Sequence, residues 1–175
     1  MAPVPRFTPA QLRQVCDVLG DTQDGLTGSE IGQLLRHCGV DDPEPTMTKR
    51  HRLFDALQAR QQRDGHGNAV AHVIEQSMDP VGYTADPTMF HQRRDNLNTT
   101  LAFCGLVLGE DGKIRRADVA RTLDDAHKRA SRLRSQLERR GVHGDVLRFC
   151  KAELLTDNYF HAVLEATKSV ADKIR

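Results

Sequence analysis

Apolar side chains recur along the chain at three- and four-residue intervals, the spacing that lines one face of a helix. Leu12, Val15, Cys16 and Leu19 form the first such stripe. Thr8 is placed to cap it, Pro9 suits the first helical position, and Gln11 completes a Thr-x-x-Gln capping box with Phe7 as its staple. Gly20 is the expected stop. The grammar repeats after the polar turn Asp21-Thr22-Gln23-Asp24-Gly25: Thr27 and Glu30 form a second capping box, Ile31, Leu34, Leu35 and Cys38 share a face, and Gly39 ends it.

Pro43 and Pro45 exclude a helix interior between the second and third stripes. Thr46 or Thr48 then opens a third helix with Leu53, Phe54 and Leu57 inward, running out at Asp64-Gly65-His66-Gly67. A shorter fourth helix begins near Asn68 and carries Val70, Val73, Ile74 and Met78. Asp79-Pro80-Val81-Gly82 is a break. Asp86 and Pro87 start a long helix with Phe90, Leu97, Leu101, Cys104 and Leu108 inward. Around Gly109-Glu110-Asp111-Gly112 the chain forms either a small hairpin, with Leu106-Val107-Leu108 and Lys113-Ile114 as its arms, or a turn between helices.

Beyond it, Thr122 and Asp125 open another helix, with Leu123, Ala126, Ala130, Leu133 and Leu137 as its stripe and a basic opposite face. A short helix carries Val146, Phe149, Cys150 and Leu154. A last one carries Phe160, Val163, Leu164, Thr167, Val170 and Ile174. No stop signal follows it. The amphipathic pattern runs to Arg175, which reads as a truncation within or just after a helix. The expected fold class is all-α: an N-terminal, helix-turn-helix-like unit over residues 1–80, then a second helical bundle over residues 86–175, with one small β-hairpin as an option.

Composition narrows the classes. With 175 residues, 38% hydrophobic and 28% charged, the chain is neither disordered nor too small for a core. Its longest apolar run, residues 101–108, is far short of the roughly 20 residues of a spanning helix. The N-terminus lacks the apolar stretch of a secretory signal, so a cytoplasmic location with no membrane contact is expected. A net charge of +1 leaves no global field, so any nucleic-acid contact must be local. Cys16, Cys38, Cys104 and Cys150 fall on apolar stripes with no Cys-x-x-Cys pair. Packing rather than disulfide or zinc chemistry is their reading, including for a set of Cys16, Cys38 and His37. No metal and no cofactor is expected.

Two basic clusters are the candidate nucleic-acid contacts. Lys49, Arg50 and Arg52 open the third helix, at the pole where its dipole disfavours cations, which argues for a role beyond helix stability. Lys128, Arg129 and Arg132 lie on the basic face of the helix after Thr122; a solvated outer face has the same pattern. RNA or DNA is the partner such faces would take. No phosphate-binding glycine loop, His-Glu-x-x-His or Gly-x-Ser-x-Gly occurs. Two Arg/His pairs, Arg60 with His66 and Arg121 with His127, have the spacing used by metal-independent ribonucleases of the HEPN class, in which His does acid/base work and Arg holds the phosphate. The first crosses a glycine turn and the second straddles a helix cap, and with 19 Arg and eight His chance pairs are expected. No catalytic residue is assigned.

The stretch Arg140-Gly141-Val142-His143-Gly144-Asp145-Val146-Leu147-Arg148-Phe149-Cys150-Lys151-Ala152-Glu153-Leu154-Leu155, continued by Asn158-Tyr159-Phe160-His161-Ala162-Val163-Leu164-Glu165-Ala166 and the run to Arg175, resembles the Ymh-type family, related to abortive-infection proteins of the AbiJ kind. Leu26-Thr27-Gly28-Ser29-Glu30-Ile31 and Thr48-Lys49-Arg50 resemble the helical region that precedes that domain. The resemblance implies a HEPN-like, RNA-cleaving C-terminal domain acting in bacterial phage defence. In that family the catalytic Arg-Asn-x-x-x-His motif lies downstream of the segment matching residues 159–175, and this sequence shows none. Two expectations follow: an antiphage protein, or its N-terminal portion, whose intact form is an RNA-cleaving toxin; or a non-enzymatic helical module that binds nucleic acid or protein. Under either, the partner of the last helix is a second copy of the chain or a missing C-terminal domain.

Overall fold

A computed structural model describes the backbone of residues 3–130 and the side chains of residues 3–127. The described residues form α1 (Pro9–Leu19), α2 (Gly28–His37), α3 (Lys49–Asp64), α4 (Asn68–Ser77), a short 3-10 helix (Pro80–Tyr83), α5 (Pro87–Phe103), an antiparallel hairpin of β1 (Leu106–Leu108) and β2 (Ile114–Arg116), and α6 (Leu123–Ala130). The fold is thus all-α with one hairpin, the arms option of the two left open by the sequence. The chain divides into two compact units, Met1–Ala126 and His127–Arg175.

Local chemistry sets most helix ends. Thr8 and Gln11 form the reciprocal capping box of α1, and Thr27 and Glu30 that of α2. Gly39 and Gly65, with φ of 63° and 76°, take the left-handed conformation that lets the chain leave α2 and α3 sharply. Thr48 precedes α3 but makes no side-chain cap; its hydroxyl pairs instead with His51 Nδ1 at 2.9 Å. Asp86 Oδ1 accepts from Met89 N at 3.1 Å and starts α5.

The core joins α1 to α5. Leu12, Leu19, Ile31, Leu35, Leu53, Leu57, Ile74, Leu97 and Leu101 are completely buried, each such side chain removing apolar surface worth roughly 1.5–3 kcal/mol. Helix α1 packs on both α3 and α5, so the break at residues 79–82 does not interrupt the packing. The N-terminal arm closes one side: Val4 and Phe7 are buried, Val4 N donates to Asn68 Oδ1 at 2.7 Å, and the Gln61 amide bonds both the N–H and the carbonyl of Phe7.

The hairpin is held by helical side chains. Asn98 of α5 accepts from Leu108 N at 2.7 Å and donates to Leu108 O at 3.0 Å, acting as a third strand would. Glu75 of α4 accepts from Ile114 N at 2.8 Å on the other strand. Gly112, with φ of 70°, brings its backbone against Met78 O, where an added Cβ would lie only 2.3 Å away. Two expectations fail: the long helix ends at Phe103, so Cys104 caps it and Leu108 lies on β1 instead, and one residue expected inward turns outward. Leu123 is 68% exposed rather than inward, because Ala126, one turn on, is the residue of α6 that meets Ala102, Phe103 and Ala120.

Candidate nucleic-acid interface

Three cations in the first turn of α3 sit where the helix dipole repels them, so the fold must supply anions nearby. It does so from two segments. The turn after α1 brings Asp21: Lys49 Nζ donates to its main-chain carbonyl, and Arg50 NH2 meets its carboxylate at 2.9 Å. Asp17, one turn earlier on α1, lies 3.8 Å from Arg50 Nε. The linker between α2 and α3 brings Asp42 to Arg52.

Arg52 is not at the surface. It is 5% exposed and folds along α2, with Nε donating to Asp42 Oδ1 at 2.8 Å, NH2 to Asp42 Oδ2, and NH1 to Gly28 O at 2.8 Å. Glycines on α2 make the space: a Cβ at Gly32 would stand 2.8 Å from Arg52 NH2. The bidentate pair holds the Asp42 carboxyl below its ordinary range and raises the Arg52 guanidinium further. Of the three cations at this helix start, Arg50 remains exposed and Lys49 half-exposed. Both are engaged by Asp21, whose carboxyl is held low first by the backbone N–H of Gln23, then by that of Asp24.

Next to Arg50 lies a cleft of about 460 Å³ between α1, the Asp21–Gly25 turn, α3 and α5. Asp17, Asp21 and Asp24 face it together with Arg50 and Arg93. Arg93 is buried. It donates through NH1 to the Tyr83 hydroxyl and through NH2 to Asp24 O, and its guanidinium lies 5.3 Å from the Tyr83 ring centre. It ties the 3-10 helix and the first interhelical turn to α5. Sequence reading missed Arg93 because a buried arginine in an amphipathic helix carries no periodic signal; its partners lie 10 and 69 residues away.

The other candidates scatter. Arg60 is committed to Asp64 Oδ2 at 2.7 Å and to Gly39 O, while His66 lies in the turn after Gly65 with its Nδ1 buried and unbonded. Arg121 and His127 are both exposed, on either side of the Thr122 cap, where Asp125 N donates to Thr122 Oγ1 at 3.1 Å. Among the described residues, neither pair forms an acid/base site with a third group. Lys128, Arg129 and Arg132 lie outside the described side chains. Among the described residues no three His, Cys, Asp or Glu converge to hold a metal ion. No helix among the described residues is long and apolar enough to cross a membrane.

These features define a helical unit with a hairpin and a charge-compensated basic helix start. Residues 140–175 match the model of a family described as a protein of unknown function (Hypoth_ymh), in line with the Ymh-type resemblance. No curated protein and no solved structure matches the chain.

Proposed function

We propose that the chain belongs to a bacterial antiphage protein of the abortive-infection type, in which the helical unit ending at Ala126 senses or binds and a HEPN-like region including residues 140–175 belongs to a metal-independent RNA-cleaving toxin. The observation that carries this reading is the Ymh-type match over residues 140–175. In the described unit Arg50, Arg52 and Arg60 are held in ion pairs with Asp21, Asp42 and Asp64, so the role proposed for it is sensing or binding rather than catalysis. The AbiJ and HEPN relationship, and with it RNA as substrate, rests on the resemblance of residues 140–175.

The test is incubation of the chain with total RNA in the presence of EDTA. Fragmentation that persists without metal supports the toxin. RNA left whole by the chain overturns it. Loss of cleavage in His66→Ala or His127→Ala would place catalysis at a pair dismissed above.

The second reading, a non-enzymatic nucleic-acid-binding module, has one specific support: Arg50, a cation at a helix N-terminus with 45% of its side chain exposed. Gel-shift titration with duplex DNA and with RNA at low salt tests it. Arg50→Ala and Lys49→Ala should each weaken binding. No shift, or a shift that ignores both substitutions, removes the reading. Arg52→Ala is a poor probe of contact, since that side chain is part of the core.

A further inference from the structure

We draw no further inference here: the strongest candidate, the cleft between α1, the Asp21–Gly25 turn, α3 and α5, is a cluster of acidic side chains whose two arginines already bond within it, and nothing in the structure shows a ligand there.

Discussion

Arg52 grips Asp42, ten residues earlier, with two of its guanidinium nitrogens, Nε donating at 2.8 Å. The third nitrogen reaches Gly28 O, so one side chain fastens α3 to the start of α2 and to the linker between them. Removing it strands a half-buried carboxylate and a main-chain carbonyl. Arg52→Ala is expected to lower stability by about 2 kcal/mol, the scale of charge-assisted hydrogen bonds. Urea titration followed by circular dichroism checks this, with Arg50→Ala as the contrast. Arg50 sits in solvent-screened pairs, and its loss should leave the midpoint nearly unchanged. Equal effects of the two substitutions would contradict the difference in burial.

The same pair gives an acid limb to stability. Asp42 has its pKa lowered below 3.8 in the fold by the Arg52 hydrogen bonds, whereas the unfolded carboxyl keeps its ordinary value. The stabilisation is therefore fully present above the unfolded pKa. It is lost as pH falls through the lower, folded one. Stability should be level from neutral to about pH 5 and drop below about pH 4. Asp42→Asn should lower the plateau and make the drop shallower without abolishing it, because Asp21, Asp64 and Asp111 are also held low. A drop of unchanged steepness in Asp42→Asn would show that this pair does not titrate as described.

Thiol reactivity follows burial. Desolvation pushes Cys16 up to about 12 from 9.0, and Cys104 to about 12 as well. The reactive thiolate is then scarce at pH 8 and, for Cys16, out of reach. Iodoacetamide at pH 8 followed by peptide mapping should leave Cys16 unlabelled in the native protein and label it in urea. Cys38, also raised by burial but only half-buried, should react before Cys16. Rapid native labelling of Cys16 would mean that α1 is not seated on the core.

Asn98→Ala should loosen the hairpin. Asn98 supplies both hydrogen bonds that Leu108 would otherwise seek from a neighbouring strand, and both are buried. Their loss leaves a buried N–H and carbonyl unsatisfied, a cost of about 2 kcal/mol. Amide exchange at Leu108 should accelerate in the variant while exchange in α3 stays slow. Unchanged exchange at Leu108 would show the hairpin holding without its helix.

The helices were legible in the sequence because their signals are local. A capping box is read within four residues, as at Thr8 with Gln11 and Thr27 with Glu30, and an apolar stripe within two turns. The candidate interface was legible only as a charge cluster. Lys49, Arg50 and Arg52 look alike in a string, yet one points into the core. What separates them is the reach to Asp42 and the room left by Gly28 and Gly32, a fact about α2 rather than α3.

Among the described residues, the sequence by itself determined where the α-helices lie and where most of them start, and it showed that no global charge draws the molecule to nucleic acid. The tertiary structure alone decided which polar side chains are interior. Gln61 is buried because Phe7, 54 residues away, presents it with a donor and an acceptor. Arg93 and Asn98 are buried for the same kind of reason. Polar groups leave water for the most part where partners replace their hydrogen bonds, and those partners come together only when the chain has folded.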